Sequence, residues 1–282
     1  MFKYAHENGC PWDKDACKSA GKKGNLECLK YLHENGCPWD EDIMNIITTI
    51  EGHIDCLKYT HENGCPWNID ACNVAAENGH LECLKYAHEN GSPWDEKTST
   101  LAAFNGHLEC LKYAHENGCP WNKEVFKFAA HNGHLECLKY AHENECPWYE
   151  ETCTVAAQFN KLECLKYAHE NGCPWNEMTC SAAAYEGHLE CLKYAHENGC
   201  PWDEKTYKAA AEKLNLDCLN YASSNGCPMD EEVKSAALKT LFLSNIMEQM
   251  CPGLDKSDDS EFCNYLMNTF DDSDDDFDSD DD

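Results

Sequence analysis

Gly106-His107-Leu108-Glu109-Cys110-Leu111-Lys112-Tyr113-Ala114-His115-Glu116-Asn117-Gly118-Cys119-Pro120-Trp121 is one copy of a phrase that recurs, with small changes, along most of this 282-residue chain. The Pro-Trp pair marks the beat. Trp12, Trp39, Trp67, Trp94, Trp121, Trp148, Trp175 and Trp202 follow one another at 27 residues, except for 28 between Trp39 and Trp67, and Met229 takes the ninth place. A fixed period between about 20 and 50 residues marks a solenoid or array, whose units bury their faces only against one another.

The unit from Asp95 to Trp121 shows how each copy folds. Asp95 follows Trp94, and Asp13, Asp40, Asn68, Asn122, Asn176, Asp203 and Asp230 fill the same place. All are good N-cap residues, whose side chains accept from free backbone N–H groups, so a helix starts there. Thr98, Leu101 and Ala102 fall at i, i+3 and i+4 on one inward face, and the Ala102-Ala103 pair keeps side chains small where another helix approaches. Asn105-Gly106 then breaks the helix. A second helix follows from about His107 to Glu116, with Leu108, Leu111 and Ala114 or His115 on an apolar stripe and Glu109 in reach of Lys112. Gly118 supplies a left-handed stop and Pro120 prevents continuation. Each unit therefore reads as a helix–turn–helix hairpin, and the chain as all-α with little or no strand.

Gly106-His107-Leu108-Glu109, with Gly118 twelve residues after Gly106, resembles the second-helix signature of ankyrin repeats, and Thr98 with Ala102-Ala103 is similar to that family's first helix. The resemblance covers about residues 2 to 240 and implies an ankyrin-like solenoid. It departs from the usual unit of about 33 residues. The residues missing here fall where the family's β-hairpin finger would sit, and Cys119-Pro120-Trp121 replaces it. Shortened arrays of this kind resemble those of the large ankyrin families of giant viruses and protists. The reading divides the chain into a truncated repeat at 1–12, eight ankyrin-like repeats at 13–229, capping helices at 230–254 and an acidic, mostly disordered tail at 255–282.

Several units break the pattern. Met1 aligns inside a second helix, with Phe2 and Tyr4 where Leu111 and Tyr113 stand, which leaves the first hairpin without its first helix. The unit from Asp40 to Trp67 carries the extra residue and replaces the alanine pair with Ile-Ile-Thr-Thr, weaker helix formers that predict local distortion. Glu145 stands where glycine otherwise does, at a cost of roughly 1–2 kcal/mol in left-handed backbone. In the tail, Phe262, Tyr265, Leu266 and Phe270 could form a short amphipathic segment, and Ser273 and Ser279 are candidate phosphorylation sites among the aspartates.

Net charge is −30 and arginine is absent, the opposite of the basic stripe a nucleic-acid partner requires. No apolar run approaches the ~18 residues of a membrane span, and the start lacks the apolar core of a secretory signal. These features point to a soluble, cytoplasmic protein, in host cytoplasm if viral, with no nucleic-acid or membrane partner. Sixteen of the 22 cysteines fill two slots, one holding Cys28, Cys56, Cys83, Cys110, Cys137, Cys164, Cys191 and Cys218. The other holds Cys10, Cys37, Cys65, Cys119, Cys146, Cys173, Cys200 and Cys227, with Ser92 in the remaining place. Equivalent residues of stacked helices lie about 10 Å apart, beyond the ~7 Å limit for bridging, so these read as ladders of free thiols. Cys110, His115 and Cys119 also recur together as a zinc-type donor set, which makes a zinc-binding or thiol redox-buffering protein the alternative function. Two histidine ladders, one through His53, His80, His107, His134 and His188 and the other through His88, His115, His142, His169 and His196, predict an array loosened by acid.

Translation of one motif spreads identical groups along a line rather than converging different ones, which argues against an active site and for no cofactor. It does offer an extended binding surface built from positions free to vary. Those positions, read as the outward face of the first helices, are Asn73 and Glu77, Thr100 and Phe104, Lys127 and His131, Thr154 and Gln158, Ser181 and Tyr185, and Lys208 and Glu212. The sequence thus predicts a non-catalytic scaffold or adaptor for an unidentified protein partner, monomeric unless its uncapped N-terminus self-associates.

Overall fold

The computed structural model describes residues 8–9, 13–40, 42–49, 52–68, 70–230 and 233–235. The truncated first repeat, read above over residues 1–12 with Phe2, Tyr4 and Trp12 among them, lies outside the described residues save for 8–9, as do the capping helices beyond 235 and the acidic tail. The chain divides into two compact units, Met1–Met229 and Asp230–Asp282. In the first, sixteen helices form eight hairpins, and no strand occurs among the described residues. The hairpins are α1 (Lys14–Lys22) with α2 (Leu26–Glu34), α3 (Asp42–Thr49) with α4 (Ile54–Glu62), α5 (Ala71–Glu77) with α6 (Leu81–Glu89), and α7 (Glu96–Phe104) with α8 (Leu108–Glu116). They continue with α9 (Glu124–Asn132) and α10 (Leu135–Glu143), α11 (Thr152–Gln158) and α12 (Leu162–Glu170), α13 (Glu177–Glu186) and α14 (Leu189–Glu197), and α15 (Glu204–Glu212) and α16 (Leu216–Ser224). First helices pack on first helices and second on second, so the protein is an all-α solenoid.

The caps start the helices as the sequence implies. Asp13, Asp95, Asn176 and Asp203 each accept from the backbone N–H two residues on at 3.0 Å, and Asn68 and Asn122 do so at 2.9 Å. Tyr149 has no such acceptor; α11 begins at Thr152, whose hydroxyl donates to the Tyr149 carbonyl at 2.6 Å, the same distance along the unit at which α5 begins after Asn68.

Packing is densest along the first helices. Thr98, Ser99, Ala102 and Ala103 are sealed from solvent, whereas Leu101, expected beside them, is only half-buried. The alanines let the axes of α5, α7 and α9 approach closely. On the second helices the buried arc is Cys110, Leu111 and Ala114, while Leu108 and His115, placed on the apolar stripe by sequence, are half-exposed. Leu108 is the first residue of α8, just after the Gly106 turn, and His115 faces the next hairpin instead.

That facing histidine is half of a clamp. The His115 ring lies on Trp121 at 3.9 Å, its Nδ1 is 3.0 Å from the Tyr140 hydroxyl of the next hairpin, and Trp121 meets Tyr140 edge-on at 6.0 Å. The same histidine–tyrosine bond joins His33 to Tyr59, His61 to Tyr86, His88 to Tyr113, His142 to Tyr167 and His196 to Tyr221 at 2.9–3.1 Å. At His169 the stack on Trp175 and the edge contact with Tyr194 are present. Such a hydrogen bond contributes ~1 kcal/mol net, and a favourable aromatic pair about as much again.

The second histidine ladder works at the other turn. A Cβ on Gly106, at φ 74°, would crowd Nδ1 of His134 in the next hairpin, so a side chain there would strain the backbone and push the imidazole aside. His134 in turn hydrogen-bonds the Phe104 carbonyl, and burial holds its pKa below the ordinary 6.5, with His107 and Lys161 adding like charge.

Each hairpin also closes on itself. Cys119 donates its thiol to the carbonyl of Asp95 at 3.1 Å, and Cys37, Cys146, Cys200 and Cys227 repeat the bond at 3.1–3.4 Å. Ser92, in the same slot, has a shorter reach, and its buried hydroxyl has no partner. The extra residue of the second hairpin is absorbed between the helices: His53 N–H reaches back six residues to the Ile47 carbonyl, where His107 reaches back five to Ala102. Helix α3 itself stays regular over Ile43, Met44, Ile47 and Thr48, so the distortion is confined to that turn.

Among the described residues, three other than glycine adopt positive φ. Glu145 does so at 59°, as its place in the phrase implies, and Asn160 at 56° and Leu214 at 55° occupy the turn that Gly106 makes elsewhere. Asparagine tolerates this region, but leucine does so at a cost. Glu145→Gly and Leu214→Gly are each expected to raise unfolding free energy by about 1 kcal/mol, read by urea denaturation, and unchanged midpoints would deny the strain. For pH, the sign follows from His134. Its folded pKa is depressed, so below 6.5 the unfolded chain takes up the proton more readily than the folded one and stability falls as pH drops. Urea midpoints should therefore be lower at about pH 5.5 than at about pH 7.5, with His134→Gln reducing the difference. A wild-type midpoint independent of pH would contradict this.

Candidate interaction groove

The first helices bring one row of the variable positions to the surface and turn the other into a seam. Asn73, read from sequence as outward, is only 6% exposed. Its side-chain oxygen accepts from Thr98 Oγ1 of the next hairpin at 2.6 Å, and its amide reaches Asp70 at 3.3 Å. Thr154 and Thr179 pair across the seam between α11 and α13 at 3.0 Å. The correction has a simple cause: a residue two places past the sealed Thr98 position still points toward the neighbouring helix when the axes are close. Thr100, Lys127 and Ser181 are half-buried and Lys208 is exposed. The second row, four residues on, is more open, with Glu77, Phe104, Tyr185 and Glu212 exposed and His131 and Gln158 half-buried.

Six of these residues line one open groove of about 450 Å³ across three hairpins: Thr154 and Gln158 on α11, Ser181 and Tyr185 on α13, Lys208 and Glu212 on α15. Ala182 and Ala209 give it room, and Met178 adds an exposed apolar wall. The Lys213 ammonium sits 4.8 Å over the Tyr185 ring, holding that ring in place, and Lys208 lies 3.9 Å from Glu212. The groove therefore presents an aromatic and a thioether between charged rims of both signs.

N-terminal to it, the same row forms an aromatic ridge. Phe104, 37% exposed, meets Phe128 edge-on at 5.5 Å and His131 at 6.2 Å, and His131 lies 3.8 Å from Phe159, which is 38% exposed. Lys127 caps Phe128 and Tyr149 at 5.4 and 5.9 Å. Sequence reasoning missed Phe159 and Met178, although both carried a signal. Phe159 stands in a turn slot filled elsewhere by Asn78, Asn105, Asn132, Glu186 or Lys213, and Met178 in a first-turn slot filled by Asp15, Lys97, Glu124 or Lys205.

Nothing here converges on chemistry. The Ser181 hydroxyl is spent on the Met178 carbonyl at 3.1 Å. The zinc-type set does not come together: Cys110 is buried in α8, His115 is committed to Trp121 and Tyr140, and Cys119 to Asp95. No group of three or more His, Cys, Asp or Glu among the described residues is placed to hold a metal ion, which corrects the zinc alternative. Burial pushes the second-helix thiols up, Cys110, Cys164 and Cys191 to about 11 and Cys83 and Cys137 to about 12, so they stay protonated and inert. No helix among the described residues is long and apolar enough to cross a membrane.

Residues 72–115 and again 99–142 match the family model described as ankyrin repeats (many copies), two overlapping matches set one period apart. No curated protein matches the sequence. Among solved structures, the human ASB11 ankyrin repeat domain is similar at 19% identity, over 66% of this chain and 84% of that one, with a TM-score of 0.44. The matched stretch, residues 72–142, is built from the same phrase as the hairpins on either side of it and is similar to ankyrin repeats.

Proposed function

We propose that this protein is a non-catalytic scaffold or adaptor that binds a protein partner along the open row of its first helices. Ankyrin repeats generally mediate protein–protein interaction. The observation that carries the reading is that six of the varying residues line one groove, with the Phe104–Phe128–His131–Phe159 ridge beside it. Interfaces draw most of their energy from a few aromatic and long side chains set in desolvated pockets, and Tyr185 and Phe104 supply such anchors between charged rims. The contact row comprises Glu77, Phe104, His131, Gln158, Tyr185 and Glu212. Thr100, Lys127, Thr154, Ser181 and Lys208 flank it, and Asn73 is set aside because it is buried. The site of action in this reading is the cytoplasm.

The test is alanine replacement of Phe104, His131, Gln158 and Tyr185 together, followed by quantitative capture of partners from the native cell and by thermal melting. Partner capture should fall ~30-fold, the loss of about 2 kcal/mol, while the melt stays near wild type. Alanine at Glu82, Glu109 and Glu136 on the second helices should leave capture unchanged. Retained capture by the first variant would reject the row as the binding surface.

A further inference from the structure

The residue five places after the tryptophan stands opposite the residue, cysteine in all hairpins but one, that closes the same hairpin twenty residues later, or twenty-one in the unit with the extra residue. The contact is explicit where Ser99 donates to Cys119 Sγ at 3.4 Å. The first member varies along the array. It is Met44 opposite Cys65, Cys72 opposite Ser92, Phe126 opposite Cys146 and Tyr207 opposite Cys227. In three hairpins both members are cysteine: Cys17 with Cys37, Cys153 with Cys173, and Cys180 with Cys200. All six are buried with free thiols, in the same two slots that bring Ser99 against Cys119. Cys17 Sγ also lies 4.0 Å from the carbonyl of Cys37, and Cys153 Sγ 3.9 Å from that of Cys173.

We propose that these three pairs are dithiols that a hydroperoxide oxidises to disulfides, each bond closing within its own hairpin. No ladder geometry could do this, because equivalent cysteines of neighbouring hairpins are about a helix diameter apart. Within a pair the roles differ. The neighbouring Cys153 thiol holds the Cys173 thiol down while that of Cys153 is raised, and Cys180 does the same for Cys200. The thiolate of Cys173 attacks one peroxide oxygen and the O–O bond breaks. This leaves a sulfenic acid on Cys173 and a hydroxide that takes the thiol proton to become water. The Cys153 sulfur then attacks the sulfenic sulfur, the S–O bond breaks, and the departing hydroxide leaves with the Cys153 proton as a second water. Two electrons pass from the sulfurs to the peroxide, which is fully consumed. Access comes through the closing turn, where Asn171, Gly172 and Pro174 are exposed, so local opening admits a molecule as small as peroxide. Cys153 and Cys180 lie on α11 and α13, the helices whose outer faces line the groove.

The test uses the full chain, folded, exposed to hydrogen peroxide, then alkylated with iodoacetamide in denaturant, digested without reduction and mapped by mass spectrometry. The expected result is three cross-linked peptide pairs, Cys17–Cys37, Cys153–Cys173 and Cys180–Cys200, with Cys56, Cys83, Cys110, Cys137 and Cys164 recovered alkylated. A Cys173→Ser chain should lose the Cys153 cross-link and keep the other two. Recovery of the six thiols in alkylated form, their over-oxidation singly, or cross-links running into the second-helix ladder would each overturn the proposal.

Discussion

The structure rests on surfaces that a hairpin cannot cover by itself. A unit of 27 residues has two small helices, and its Thr98, Ala102 and Cys110 positions are sealed only because the hairpins on either side lie against them. The same dependence is written in polar form by the bond from His115 to Tyr140 and by the meeting of Gly106 with His134, each of which spans two hairpins. Stability in such an array is a sum of weak intrinsic terms and favourable interfaces between neighbours. The sequence phrase is therefore nearly uniform at these contacts, and it varies most along the outer face of the first helices.

Function follows from that partition. The alanine seam draws the first helices together, which buries the row containing Asn73 and lifts the row containing Phe104, His131 and Tyr185 to the surface. Translation then lines these up across successive hairpins, so that residues far apart in sequence, such as Gln158 and Glu212, face one groove. Catalysis would need unlike groups to converge on a point, whereas a stack of this kind delivers a long surface of changing side chains.

Much of this was legible in the sequence, because a repeat supplies its own alignment. The period, the Asp and Asn caps, the alanine pair, the left-handed Glu145 and the free-thiol ladders could all be read by comparing the units of one chain. What escaped were facts about the contact between units. Asn73 reads as outward on an isolated helix, and only the spacing of α5 and α7 turns it toward Thr98. His115 reads as a stripe residue, since its partner Tyr140 lies 25 places on and nothing in the local pattern fixes the register between hairpins. Leu214 in left-handed backbone is hidden because leucine is an ordinary helix residue, and only its alignment with Gly106, between the two helices of a hairpin, marks the turn.

The most direct test is a double-mutant cycle across one central interface, His115→Phe, Tyr140→Phe and the pair, each measured by urea unfolding of the whole chain. If neighbouring hairpins hold one another through this clamp, the two losses fail to add, with a coupling of about 1 kcal/mol. Losses that add to within ~0.3 kcal/mol would mean the two residues act independently, and the account of how the stack is held would be wrong.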